Sequence, residues 1–373
     1  MRETGTYQKL GNVNYFIPHP LPPIAPPLEL STELLSLYGE ANFALGQLNE
    51  VCQKIPDSKR FIKAYTLKEA LLSSEIEGIY TTLVKVFTSE LDHPRASKET
   101  QLVINYAEAV EAALKMIQNQ KLPIVVRVIL KTHEILLAGG AGDSAAPGQF
   151  RKQGVQVGNL IPPPPSQVPR LMSELEKFIN EFSDVPPLIK IGLVHVHFET
   201  IHPFLDGNGR IGRLLIVLML IDNQLLNSPI LYPSYYFKKH HEEYYQCLDR
   251  VRTHGDFEGW INYYLKAIKE SAKDAYQRAK DIEHLEIQLQ ILINTNKSFK
   301  RMKETALEAL NFLFSQPITP IAEMSKKLDK AYNTIQKILK EFIKHNIVSE
   351  NIIYKRNKLY RFEPYIELLE KTY

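Results

Sequence analysis

The chain has 373 residues, 44% hydrophobic and 23% charged, with a formal net charge of +3. That length exceeds one ordinary core, so two or three domains are expected, in a globular protein of ordinary composition. The longest apolar run, Leu214 to Ile221, is too short to span a bilayer, and two cysteines, Cys52 and Cys247, can build neither a disulfide framework nor a four-thiolate metal site.

The polar stretch Met1–Lys9 is followed by no apolar segment with a small-residue cleavage site, so a cytoplasmic protein with no membrane contact is expected. Residues 17–28, IPHPLPPIAPPL, carry six prolines and must be extended along a surface; proline density alone also fits an SH3-type ligand. From Ser31 the apolar residues Leu34, Leu35, Tyr38, Ala41, Leu45 and Leu48 recur mostly at three- and four-residue intervals, which predicts a helix. Further helices are predicted over 58–77, 98–120 and 123–137, before the loop-like run AGGAGDSAAPG. QFRKQGVQVGNL then alternates Val155 and Val157 with polar residues and ends at the prolines of 161–165, predicting a short hairpin or flap over 151–161. Helices follow over 167–182, 187–200, 209–224, 237–252 and 257–279.

HPFLDGNGRIGR, residues 202–213, separates two apolar helices with a mixture that a packed core has no use for. Gly207 and Gly209 free the backbone for positive φ and leave room beside it. A glycine-rich turn feeding a helix N-terminus aims N–H groups at one spot, where the helix dipole favours an anion. Arg210 and Arg213, three apart, add two cationic forks, which suits a polyphosphate better than one carboxylate. Asp206 beside such a nest would repel phosphate unless Mg²⁺ lies between them. His202, with an ordinary pKa near 6.5, can take a proton at neutral pH. Transfer of a phosphate-containing group to a hydroxyl follows. His195 and His197 lie two apart and face different ways on a helix, and His195 with Glu199 is more often core, so a zinc hydrolase is not expected.

These twelve residues resemble the Fic family motif HPFx(D/E)GNGRxxR at every fixed position, over a similarity covering about residues 60–265. The resemblance implies a helical protein that transfers AMP from ATP to a Ser, Thr or Tyr hydroxyl of a protein. It implies His202 as catalytic base and Asp206 as the Mg²⁺ ligand. The implied ATP contacts are Glu77, His202, Gly207, Asn208, Gly209, Arg210, Ile211, Gly212 and Arg213. SSEIEG, Ser73 to Gly78, is similar to the family's inhibitory motif (S/T)xxxE(G/N). The resemblance then has Glu77 pair with Arg213 and hold ATP in an unproductive pose; the competing reading of Ser74 and Glu77 is a helix capping box. The flap would pair with the backbone of a target, or be a plain surface hairpin. Downstream, HEEYYQCL and VRTHGDFEGW resemble the family's nucleotide-side helices, placing Tyr245 near the adenosine or in an aromatic core.

From Lys326 to Arg361 ten Lys/Arg stand against three Asp/Glu, a local net of +7, which leaves −4 for the rest of the +3 chain. Helices predicted over 304–315, 320–329 and 333–344, then two strands around KRNK, resemble a winged helix at the level of pattern only. Lys337, Lys340 and Lys344 could meet DNA, or form a solvated face of a protein-binding or homodimer module. The expected fold is mainly α: a helical Fic-type body with a β-hairpin flap and a C-terminal winged-helix-like domain. Its expected parts are 1–97 with the inhibitory helix at about 58–78, a catalytic core 98–280, and a C-terminal domain 281–373. An autoinhibited adenylyltransferase is the leading reading. Transfer of phosphocholine, phosphate or UMP, or a DNA-binding regulator using the body as a nucleotide sensor, remain alternatives.

Overall fold

The structure, a computed structural model, describes residues 2–54, 58–89, 91, 96–139, 146–354 and 357–371. Much of the AGGAGDSAAPG loop and two residues of the KRNK turn therefore lie outside the described residues. The chain is predominantly helical, and among the described residues no helix is long and apolar enough to cross a membrane.

It opens with an antiparallel hairpin, β1 (Gly5–Leu10) and β2 (Val13–Pro18), in register from Gly5↔Pro18 to Leu10↔Val13. The body follows as α1 (Thr32–Lys54), α2 (Ser58–Ile76), α3 (Leu83–Ser89), α4 (Lys98–Leu114), α5 (Val126–Leu136), α6 (Val168–Asn180), α7 (Pro187–Ile201) and α8 (Asn208–Asp222). The helix predicted over 98–120 ends in a π-helical turn, Lys115–Asn119. The helix predicted over 237–252 is two, α9 (Ser234–Lys239) and α10 (His241–His254), broken at His240. α11 (Phe257–Thr295) continues 16 residues beyond the predicted end at 279.

α7 and α8 are the centre. Every residue of α7 from Leu188 to Ile201 is buried, and so is α8 apart from Gly209 and its last residue, Asp222. A helix apolar all round has no solvent face, so it must be wrapped by others; α6, α10 and α11 cover α7, while α2, α4 and α5 cover α8. The loop joining the two is therefore held from both ends. The predicted flap keeps only one bridge, Val157↔Leu160, instead of a laddered hairpin. β2 backs it, with the Phe16 N–H donating to Ile161 O at 2.9 Å.

Beyond α11 the elements are α12 (Lys303–Ser315), β3 (Ile318–Pro320), α13 (Ile321–Leu328), α14 (Tyr332–Lys344), β4 (Ser349–Tyr354), β5 (Asn357–Arg361) and α15 (Glu363–Glu370). The three strands form an antiparallel sheet in the order β3-β5-β4. α15 returns to the body. Helices end with carbonyls that lack an intrahelical donor and carry the negative end of the dipole. Here Lys68 of α2 donates Nζ to Leu369 O at 2.6 Å, while Arg278 of α11 donates to Leu368 O and, at 2.6 Å, to Lys371 O. Arg278 is also tied to Asp274 Oδ2 at 3.0 Å and to the Tyr232 hydroxyl at 3.1 Å.

Burial, with Arg278 nearby, pushes the Lys68 ammonium down to about 7. In the unfolded chain Lys68 keeps its proton up to its ordinary 10.5, so between about 7 and 10.5 the unfolded state binds more protons and this residue's contribution to stability rises with pH. Comparing thermal unfolding of the parent and Lys68→Met at intervals from pH 7 to 10 checks this. The midpoint difference is expected to move by several degrees in favour of the parent; parallel pH curves would show that Lys68 is not a buried cation.

Candidate active site

α7 ends at His202, whose backbone adopts the left-handed conformation, φ 50°, ψ 63°, and whose N–H donates to Phe198 O at 2.9 Å. Pro203 ends the helix, and the chain turns into α8 through Gly207, at φ 79°. Asn208 braces this turn from inside: its Oδ1 accepts from the Phe204 N–H at 2.8 Å and its Nδ2 donates to Phe204 O at 2.9 Å. Its side chain therefore shapes the loop, and only its backbone is left for a ligand. Among the described residues no side chain caps α8, so the N–H groups of its first turn converge on a spot that suits an anion.

Arg210 and Arg213 flank that turn, both essentially buried. Arg210 reaches Asp206 Oδ1 at 3.3 Å through Nη2, whereas its Nε and Nη1 are buried with no hydrogen-bond partner among the described residues. Burial pulls its pKa down despite Asp206. Buried guanidinium donors with no acceptor are costly, so this position suits an anion. Asp206 has a 55% exposed side chain, and its Oδ1 also accepts from the Gly207 N–H at 2.6 Å.

Arg213 is satisfied by α2. It donates from Nε to Ser73 Oγ at 2.9 Å, and from Nη2 to Ser73 O at 3.0 Å and Glu77 Oε1 at 2.6 Å. Burial pushes the Glu77 carboxyl up, but Arg213, then Arg210 and His202, outweigh it and hold the group below its ordinary range. The capping-box reading fails on position. Ser74 and Glu77 lie at the C-terminus of α2, where Gly78 (φ 75°) and Ile79 donate back to Glu75 O at 3.1 Å and Ser74 O at 3.0 Å, a glycine helix stop.

Burial pushes the His202 ring down to about 4, so it is neutral at physiological pH. Tyr245 is 41% exposed, which sets aside the aromatic-core reading; it lies edge-on to His241 at 4.8 Å, and burial of its hydroxyl raises the pKa to about 12. His195 is a core residue, its Nε2 2.8 Å from the Tyr244 hydroxyl, and burial takes it to about 3. Among the described residues no group of three His, Cys, Asp or Glu is placed to hold a metal.

His133 and Arg151 carry no site signal in the sequence, and Glu199 only as a neighbour of His195. His133 of α5 stacks on Phe204 at 3.7 Å, with Nε2 3.0 Å from Asp206 O, and accepts from the Gly148 N–H at 2.9 Å. Arg151 binds the backbone of His202. Glu199 is buried under α8 with Oε1 unpartnered, and burial raises its carboxyl to about 7.

Fold and site together define a helical anion-binding domain with a neutral histidine beside a glycine-arginine cradle. Residues 123–220 match the Fic/DOC family model, and residues 35–115 match the Fic/DOC family N-terminal model. Over these two stretches the chain is similar to the Fic/DOC family. It is 29% identical over 233 residues to Protein adenylyltransferase Fic of Drosophila ananassae, covering 58% of this chain and 45% of that protein. It is likewise 29% identical over 171 residues to a probable protein adenylyltransferase of Aquifex aeolicus, covering 45% of this chain and 52% of that one. The chain thus spans about half the length of these curated relatives. In fold it is similar to a Fic family protein from Desulfovibrio desulfuricans G20, at TM-score 0.57 and 20% identity over 90% of this chain and 97% of that one. It is also similar to Fic-1 from C. elegans, at TM-score 0.51 and 23% identity over 66% and 74%.

Two glycines separate the roles of the surrounding carboxylates. A Cβ at Gly212 would lie 2.3 Å from Glu199 Oε1 and 3.2 Å from His195 Cε1, both buried. At Gly209 it would lie 2.2 Å from Glu77 Oε1, the end of a half-buried side chain able to swing away, and 2.9 Å from Nη1 of the buried Arg213, the tip of a long side chain. Gly212→Ala is expected to cost about 1–3 kcal/mol by overpacking. Gly209→Ala should cost less than about 1 kcal/mol while breaking the Glu77–Arg213 contact, since alanine's helix propensity offsets part of the strain. Urea unfolding of both variants checks the order, and a reversed order would refute the placement of Glu77.

Proposed function

We propose that this chain is a protein adenylyltransferase that moves AMP from ATP to a Ser, Thr or Tyr hydroxyl of a protein, restrained by its own Glu77. The observation that carries the reading is the cradle. Two buried Arg210 donors lack an acceptor, while the neighbouring Arg213 is bound by a carboxylate from another helix. Such a site is built for several negative charges, one of which Glu77 replaces. The names of the curated relatives support AMP as the transferred group.

The first turn of α8 and Arg210 would hold the inner phosphates, and Arg213, once released, the outermost. Tyr245, half-exposed beside the cradle, would border the adenosine. Asp206 offers one carboxylate at the mouth of the cradle, a donor set that fits Mg²⁺ shared with phosphates and water and does not fit a protein-only cage. The ion would supply neutralisation of phosphate charge. The target oxygen attacks the α-phosphorus, the bond to the β-phosphate bridging oxygen breaks, pyrophosphate leaves, and the neutral His202 ring takes the hydroxyl proton. Burial makes this a weak base in the empty site; phosphate charge beside it raises its pKa toward the working range.

We further propose that residues 303–373 form a winged-helix-like module and that the chain works in the cytoplasm. α14 buries Ile335, Ile338, Leu339 and Phe342 and leaves Lys337, Lys340 and Lys344 exposed. That basic face keeps alive the second reading, a DNA-contacting nucleotide sensor.

Incubation of the full-length Glu77→Gly protein with ATP labelled at the α or the γ phosphate tests the assignment. Label is expected on protein from the α position only. His202→Ala should reduce transfer by about 10² to 10⁴ while ATP binding persists. Label from γ alone would make the chain a kinase. No label from either, together with a salt-sensitive shift of duplex DNA, would favour the sensor.

Glu77→Gly itself is expected to raise self-modification well above the parent, because Arg213 is freed. Arg213→Ala should be inactive, alone or combined with Glu77→Gly, since the activation acts through that arginine. Measuring the four proteins closes a double-mutant cycle. A Glu77→Gly protein of normal thermal stability and unchanged activity would refute the inhibitory role.

A further inference from the structure

Arg151 is 2% exposed and has no carboxylate partner among the described residues. A buried cation is held only where something compensates it. Here the compensation is backbone oxygen. Nε donates to His202 O at 2.7 Å, Nη2 to Ile201 O at 3.3 Å and Pro163 O at 2.5 Å, and Nη1 to Gln153 O at 3.2 Å. Its own backbone N–H donates to Pro203 O at 2.9 Å.

Two consequences follow from which oxygens these are. Ile201, His202 and Pro203 are consecutive, so one residue fixes three successive carbonyls around the left-handed His202. A non-glycine residue holds that conformation only when its surroundings over-determine it. The cation also faces the negative end of the α7 dipole. Gln153 and Pro163, in turn, stand on the two sides of the flap, which would otherwise be closed only by the Val157↔Leu160 bridge at its tip.

We propose that Arg151 is a positioning residue for the transfer reaction: one guanidinium holds the backbone of His202 in its turn and closes the neck of the flap, so that a target laid along the flap meets the histidine at a fixed offset. The proposal rests on the transferase reading above. It differs from a general packing role in two ways. A small misplacement of a reacting group lowers the rate without lowering ATP affinity, because the cradle lies on α8. The charge also acts on the ring. His202 is faced by Glu77 at the end of α2, Arg252 from α10 and Arg151 from the flap, with the Glu199 backbone oxygen accepting from the ring, and after burial Arg151 contributes to keeping it neutral.

The test uses full-length Glu77→Gly as parent, with Arg151→Gln and Arg151→Lys added singly. Single-turnover transfer, ATP affinity and the titration midpoint of His202 by NMR are measured. In Arg151→Gln the rate should fall by about tenfold or more, with ATP affinity within about twofold, and the His202 midpoint should rise above that of the parent. Arg151→Lys, which keeps the charge and loses the fork, should hold the midpoint and recover only part of the rate. Parent-like rates in either variant would overturn the proposal, as would a rate loss matched by lost ATP affinity with an unmoved midpoint. If Arg151→Gln does not fold, Arg151→Lys alone decides by rate. A parent that transfers nothing, with a midpoint that still rises in Arg151→Gln, would refute the transferase reading and leave the hold of Arg151 on His202 standing.

Discussion

The joint between α7 and α8 governs this molecule. Two helices with almost no solvent face meet end to end, so the carbonyls finishing one and the N–H groups starting the other must find partners without water. At the end of α7 the partner is an arginine from a different segment. Inside the turn it is a single asparagine serving one residue as both donor and acceptor. At the start of α8 no side chain among the described residues caps the helix. A buried, uncapped helix N-terminus suits an anion.

Charge follows from that architecture. Arg210, Arg213, Arg252 and Arg151 all act on the same small volume, against Glu77 and Glu199. The excess is positive where phosphates would lie, and burial drives the nearby titratable groups toward their neutral forms, with His202 deprotonated and Glu199 partly protonated at neutral pH. Glu77 is the exception, kept ionised by the arginine it occupies. A single carboxylate at one helix end can leave such a contact by side-chain rotation, with no refolding of the core.

How much of this was legible depended on distance along the chain. The body helices follow from three-and-four spacing, and the motif residues sit within twelve positions, so their meeting is a local matter. Glu77 and Arg213 are 136 residues apart, and only the resemblance linked them. Arg151 and His133 were invisible because their partners are mostly backbone atoms, which no pairing of residue types announces. The β1–β2 hairpin was missed because β1 is exposed almost throughout and shows no alternation. The flap shows the opposite error. Its alternating valines suggest a ladder, but the backbone near its neck is engaged by Arg151.

The return of α15 to the body changes what removing the end of the chain would mean. Its last carbonyls are the acceptors for Lys68, one turn and a little more before Ser73 on the helix that carries Glu77, and for Arg278. Cutting the chain before Glu363 would strand the buried Lys68 side chain and open one side of α2, so a shortened protein is not the same body minus an appendage. The final helix acts as a keystone: small, last in sequence, and seated where the segment bearing the carboxylate leans on the rest.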